Sequence, residues 1–381
     1  MSRRGPHGPR VDLDHRSADL FSLQDRVAET IARGLGVGSE EESVEPPTRN
    51  PQAYEQYLRA SECLLRWTRG DTERAIELLR NAVTLDAEFS DGWARLSGAL
   101  VGMGALYDPA LSWFDEAEKA IQKALALDPG NPAAWTARGR MFWSSHGGFK
   151  NEIALRDLTR ACAHPAHPHD APLWRSVVLT HVGLHEEALT VVDEALEIQP
   201  DDPMALIVKG ETLGWMGDSG SFCEYMERIL ALDPASSFGH LLYPIPLVYL
   251  DRLEESEIAV RKARGIMGED SLLMAVEALV WAKRGEPANT LSKIDAALRQ
   301  KKSVSHTHHT YHYVAAAYAT LGEPSLAIET LALAADAGMP NYPAFIVDPH
   351  FELLREEAAF QSLMTRVKAG YEALRAEFGA K

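Results

Sequence analysis

The chain has 381 residues, 46% hydrophobic and 24% charged, a composition that excludes intrinsic disorder and a length that exceeds one ordinary compact core. A net charge of −17, with no basic stripe carrying interleaved aromatics, opposes nucleic-acid binding. No apolar run approaches the roughly 18–20 residues that span a bilayer, and the basic start Met1–Arg10 lacks the apolar stretch of a signal peptide, so a cytoplasmic chain with no membrane segment is expected.

Residues 1–18 read as a disordered basic N-terminus, and 19–49 as an isolated helix with an acidic, proline-containing linker. In Asp19–Arg33 the apolar positions are Phe21, Leu23, Val27 and Ile31, and Gly34, Gly36 and Gly38 end the helix. Those glycines follow a helix, not a strand, and no Lys-Ser/Thr accompanies them, which excludes a phosphate-binding loop. Cys63, Cys162 and Cys223 are an odd number of distant thiols with no CxxC, so neither a disulfide framework nor a zinc ribbon is expected.

From residue 50 to 339 the sequence repeats. Small residues recur shortly before helix stops, at Ala82, Ala124, Ala161, Ala195, then Ile229, Ala263, Ala297 and Ala334. Four consecutive steps between them are 34 residues; the others are 42, 37 and 37. Seven residues earlier lies a second set, Ala75, Ala117, Ala154, Ala188, Phe222, Ser256, Thr290 and Ala327, on the same face of one helix. A turn residue precedes most of these helices: Gly70, Gly104, Gly148, Gly183, Gly217, Asp251, Gly285 and Gly322. Stops such as Leu127-Asp128-Pro129 and Leu232-Asp233-Pro234 close the unit, because proline cannot continue a helix. Each unit is therefore helix A, tight turn, helix B and stop. Insertions are expected in loops, around Ala105–Ser112, His146–Gly148 and Ser303–Ser305. Pro244 and Pro246 predict a kink or break in helix A of the sixth unit.

Trp135, Gly139, Phe142 and Ala161 in one unit, and Gly210, Gly217 and Pro234 in another, resemble the tetratricopeptide repeat (TPR). The resemblance implies an all-α, right-handed superhelical solenoid of about eight helix pairs over 50–339, with 340–381 as a C-terminal capping segment. The stretch 19–33 and the phrase Gly338–Arg355 also resemble the TPR module that follows a TolB-like domain in bacterial cyclase, kinase and winged-helix regulators. The cyclase, kinase and DNA-binding parts have no counterpart here, so no catalytic residue carries over. Phe351, Leu353, Leu354, Phe360, Leu363, Met364 and Val367 are expected to cover the last repeat, with Lys368–Lys381 as a polar outer helix.

Two histidine patches could hold a metal. Cys162, His164, His167, His169 and Asp170 sit in a proline-stiffened stop, too close together to wrap a tetrahedral ion. His308 and His312, four residues apart, would share a helix face. Neither patch supplies the HExxH glutamate, and paired glutamates such as Glu186-Glu187 open helices, where negative charge suits the dipole. No P-loop, nucleophile elbow or kinase set is present, so neither catalysis nor a cofactor is expected.

In TPR superhelices helix A supplies the concave face. The inward positions here give Trp143, Leu173, Val177, His181, Ile207, Trp215, Phe238, Leu241, Ile245 and Tyr249, a mostly apolar and aromatic stripe. The carboxylate-clamp subclass uses Lys, Arg and Asn at such positions, so an extended apolar or amphipathic ligand is expected instead. The expected function is a non-enzymatic scaffold or regulatory module binding a protein or peptide in this groove. A metal- or small-molecule-responsive module, or the detached regulatory part of a cyclase, kinase or transcription regulator, is the alternative.

Overall fold

The computed structural model describes residues 47–66, 68–108, 110–300 and 307–379. The expected helix at 19–33 and the inter-repeat insertion at Ser303–Ser305 lie outside the described residues. Within them the chain is α-helical, with no strand.

Eight antiparallel pairs follow one another: α1 (Pro51–Leu64) with α2 (Arg69–Leu85), α3 (Ser90–Leu106) with α4 (Leu111–Leu127), and α5 (Pro132–Phe142) with α6 (Asn151–Cys162). Next come α7 (Asp170–His181) with α8 (His185–Ile198), and α9 (Pro203–Trp215) with α10 (Ser219–Leu232). In the sixth pair helix A is split into α11 (Ser237–Leu242) and α12 (Pro244–Tyr249), facing α13 (Leu253–Met267). The last two pairs are α14 (Ser271–Lys283) with α15 (Pro287–Arg299), and α16 (Thr307–Thr320) with α17 (Pro324–Asp336). A short helix α18 (Tyr342–Val347), a 3-10 turn (Pro349–Leu354) and the long α19 (Ala358–Phe378) close the chain.

Local chemistry sets the boundaries. Asn50, Asn131 and Asp202 each cap a helix A through the side-chain oxygen, followed by proline at the first helical position. Asp128 and Asp233 end α4 and α10, and their carboxylates turn back to accept from the amides of Gly130 and Ala235. The A–B turns at Gly148, Gly183, Gly217, Gly285 and Gly322 carry positive φ, and Asp251 adopts φ 58° in the same place. Gly70 and Gly104 differ from expectation: both lie inside helices, and Gly104 is small because the Phe114 ring packs directly on it.

The break at Pro244 is as expected, with the proline opening α12. The insertion of the second unit is not a loop. It lengthens helix A to 17 residues, against 13 in the fifth unit, and helix B to 17. The apolar run Ala99–Met103 is buried there, which makes continued helix more favourable than an exposed turn. The insertion near His146–Gly148 does fall in a turn, between α5 and α6.

The small faces serve close packing: Ala75, Ala117, Ala154, Ala188 and Ala327 are fully buried. Of the expected cap, Phe351, Leu354, Phe360, Leu363, Met364 and Val367 are buried, but Leu353 is 84% exposed. Leu353 sits in the 3-10 turn, whose threefold period points it away from its neighbours Phe351 and Leu354. Helix α19 is also more than a polar outer helix. Its 21 residues extend about 31 Å, from Arg366 paired with Asp336 of α17 to Glu377 paired with Arg156 of α6. Phe378 joins the apolar cluster of Leu155, Leu158 and Leu173. The array therefore bends round until its eighth pair and closing helix meet the third and fourth pairs.

Candidate functional site

The inner faces of the middle repeats meet the chain's own C-terminal segment. Trp143, Leu173, Val177, Trp215, Leu241 and Ile245 are buried, while Ile207, Phe238 and Tyr249 are half-buried. The continuous open groove expected from these positions is thus filled in part by the chain itself. Helix α16 and residues 338–354 take that space, since two apolar faces covering each other stabilise by roughly 25 cal/mol per Å² removed from water.

The joint is specific. Asn341 caps α18 through its Oδ1 and donates its Nδ2 to the Thr180 carbonyl at 2.9 Å. Gly183, at φ 88°, leaves room for Pro343: a Cβ there would stand 2.6 Å from the proline ring. Gly338 lies against the Phe149 ring. Histidines fill the remainder. His181, at the end of α7, meets His309, in the first turn of α16, with Nε2 to Nε2 at 2.8 Å.

Asp348 organises the next layer. It accepts from the Tyr249 hydroxyl at 2.7 Å, from His312 Nε2 at 2.9 Å, and from the His350 ring and backbone nitrogens at 2.9 Å. Burial acts to raise this carboxyl, but the His312 and His350 hydrogen bonds prevail and hold it well below the usual carboxylate range. The pairing expected of His308 and His312 is corrected here. His312 turns to Asp348, whereas His308 donates its Nδ1 to the Ala337 carbonyl at 2.7 Å and stands beside His181 and His309.

Between the fifth and sixth repeats and the C-terminal segment lies a cavity of about 430 Å³. Trp215, Ile245, Tyr249, Tyr313, Glu211 and Asp348 form much of its lining, and Leu250 and Val347 are exposed apolar residues at its edge. Three of the ten expected inward residues therefore line one cavity: Trp215, Ile245 and Tyr249. Burial pushes the Glu211 carboxyl up to about 7, and pushes the Tyr249 and Tyr313 phenols well above their ordinary value. No Lys or Arg lines the cavity. The indole Nε1 of Trp215 is buried without a hydrogen-bond acceptor.

Glu211, Tyr313 and Asp348 were not legible as site residues, because the contacts that assemble them span long stretches of sequence, 99 residues for Tyr249–Asp348. The other histidine patch stays at the surface: His164 and His169 are exposed, and His169 contacts Asp202 at 3.0 Å. Among the described residues no helix is long and apolar enough to cross a membrane.

A tetratricopeptide repeat family model matches residues 110–147. No curated protein matches the chain. Among solved structures, a tetratricopeptide repeat protein from Parabacteroides merdae is 18% identical, over 73% of this chain and 98% of that one, with a TM-score of 0.46. A human IFIT1 dimer with PPP-AAAA is 13% identical, over 82% of this chain and 80% of that one, at TM-score 0.53. An IFIT1 monomeric mutant with Gppp-AAAA, also 13% identical, covers 93% and 79%, at TM-score 0.55. Such identities speak to fold alone. The chain carries the tetratricopeptide repeat and folds as an all-α solenoid of such helix pairs with a C-terminal cap.

Proposed function

We propose that the chain is a non-enzymatic scaffold or regulatory module that binds a protein partner, seating a short segment of it at the cavity between repeats five, six and the C-terminal segment. The carrying observation is the lining: aromatic walls from Trp215, Tyr249 and Tyr313, carboxylates from Glu211, Asp218 and Asp348, and no cation. Such a cavity favours an apolar or basic side chain, held by ring faces and carboxylates together. The unsatisfied indole N–H of Trp215 suits a backbone carbonyl of the bound segment. Leu250 and Val347, 39% and 48% exposed, supply an apolar edge for the flanking residues.

The phosphate-bearing ligand printed for IFIT1 belongs to that protein; the acidic lining here disfavours an anionic ligand. The finer resemblance to TolB-associated regulators rests on the stretch 19–33, outside the described residues, and on Gly338–Arg355. It suggests a regulatory setting for the same binding activity, in the cytoplasm.

The test uses a Leu250→Lys, Val347→Lys variant, which alters two exposed edge residues and leaves the buried core intact. A protein captured from the native lysate by wild type and lost by this variant, at equal helicity, supports the cavity as the docking site. Undiminished capture by the variant refutes it and moves the binding surface elsewhere.

A further inference from the structure

The closure between repeats four and eight gathers three buried histidines, His181, His308 and His309, each under 4% exposed. One ring nitrogen from each lies within 4.8 Å of the others. The partners of the opposite nitrogens fix which atoms converge. His181 donates its Nδ1 to the Val177 carbonyl at 2.7 Å, and His308 donates its Nδ1 to the Ala337 carbonyl at 2.7 Å. A neutral imidazole with a protonated Nδ1 presents a lone pair at Nε2. In the third ring, His309, Nε2 meets His181 Nε2, and Nδ1 faces Glu211 Oε1 at 3.9 Å.

We infer that His181, His308 and His309 form a binding site for a divalent transition-metal ion of imidazole preference, zinc foremost. Three converging Nε2 atoms, two of them set by backbone carbonyls and the third backed by a carboxylate, have the outer-shell pattern that orients metal-binding imidazoles. The rings are fixed further by aromatic neighbours. Trp143 stands edge-on to His181 at 4.8 Å between centroids, Phe149 to His308 at 5.2 Å, and Trp215 is tilted on His309 at 5.7 Å. Burial also holds His181 neutral, with its pKa down at about 4, so the ring is not protonated at neutral pH.

Binding requires the rings to reset to the spacing of metal ligands, and a balanced proton shift. The 2.8 Å between His181 and His309 is a hydrogen-bond distance, whereas two nitrogens each about 2.0–2.1 Å from a tetrahedral zinc stand about 3.3 Å apart. His309 therefore backs off by about 0.5 Å, from the first turn of α16, and the His308 nitrogen, within 4.8 Å of the other two, draws in to the same spacing. Its Nε2 gives up the proton shared with His181 and bonds the metal, and a proton is held at Nδ1 instead, on the side facing Glu211, so the ring stays neutral. No electron changes hands. The fourth tetrahedral position is left for a water or a partner's side chain. Glu211 and Trp215, which neighbour His309, also line the cavity.

This site is independent of the partner reading, and so is its test. The full chain, stripped with chelator, is titrated with cobalt(II) and zinc(II) and compared with His181→Gln, His309→Gln and the surface control His164→Ala, His167→Ala. Wild type and the control are expected to bind one ion per chain with the visible spectrum of tetrahedral cobalt, and the two Gln variants to bind at least ten-fold more weakly. Absence of stoichiometric binding by wild type overturns the assignment, as does loss of binding in the surface control alone. Should a Gln variant fail to fold, X-ray absorption on zinc-loaded wild type decides: three imidazole ligands support the site, and fewer than three refute it.

Discussion

Asn341 reaches across 161 residues of sequence to the Thr180 carbonyl, at 2.9 Å, while its own oxygen caps the helix that follows it. One side chain thus satisfies a helix N-terminus in the closing segment and a carbonyl in the last turn of α7, both buried. Asn341→Ala removes both bonds, and with them the 3.2 Å contact of Nδ2 with His185 Nε2, and leaves the Thr180 carbonyl to the Gly183 amide. The expected loss is about 2–3 kcal/mol of unfolding free energy, read from urea midpoints at constant slope. A loss below about 0.5 kcal/mol would mean that water replaces both partners without cost.

Gly183 and Gly285 offer a controlled comparison. Both sit at positive φ, 88° and 72°, but a Cβ at Gly183 would meet Pro343 at 2.6 Å, whereas one at Gly285 meets nothing within 4 Å. Gly285→Ala is expected to cost about 1 kcal/mol, the backbone penalty alone. Gly183→Ala should cost more and loosen the C-terminal segment, because proline is too stiff to move aside. Limited proteolysis should cut the Gly183 variant near residues 338–347 and spare the Gly285 variant. Equal protection of both would contradict the close approach.

At the far end of α19, two neighbouring contacts differ in kind. The Arg156–Glu377 pair is about half exposed, so Arg156→Ala should change stability by less than about 1 kcal/mol and less still in high salt. Phe378 is 8% exposed within an apolar cluster, and Phe378→Ala should cost about 2–3 kcal/mol. Thermal melts of the two variants, side by side, rank the contributions. The reverse ranking would mean that charge, not burial, docks this helix.

Stability should depend on pH through opposed groups. Burial, the largest influence, holds His181 and His185 at about 4, against about 6.5 in an unfolded chain. The unfolded state binds more protons on these groups between those values, so their contribution falls as pH drops through that window. Glu211 opposes them. Its pKa of about 7 lies above the unfolded value near 4.3, so the native state holds the extra proton and stability falls as pH rises through 4.3 to 7. Glu211→Gln is expected to gain on the order of 2–3 kcal/mol over wild type at pH 8, with the gain vanishing near pH 4. Denaturant unfolding across pH measures the difference, and a pH-independent gap between the two proteins would contradict the buried carboxyl.

What was legible in the sequence follows from locality. The helix pairs, the Asp251 turn and the break before Pro244 each depend on a few adjacent residues: a cap, a positive φ, a missing N–H. The 34-residue period carried the rest of the architecture. Gly104 misled because a small residue serves close packing as readily as a turn, and sequence does not distinguish the two uses, whereas Gly70 is simply the second residue of α2, with open space where a Cβ would stand. The closure was illegible for a different reason. His181 appears among the inward positions, and His308 and His312 as a histidine patch, but nothing local states that His181 meets His309 128 residues away. The apolar stripe gave the same signal for a partner's surface as for the chain's own C-terminal segment.

The closing of the array on itself has a further consequence for how its length can vary. An open solenoid admits one unit more or fewer at any joint, since each touches only its neighbours. Here the register between His181 and His309, and between Arg156 and Glu377, holds only for the present number of pairs between them. Duplication or loss of a unit between the fourth and eighth would carry those residues out of reach of each other. The first two pairs have their own apolar cluster, extending only as far as α5, and stand outside that constraint. Variation in repeat number is therefore expected to be tolerated at the N-terminal end and excluded from the remainder.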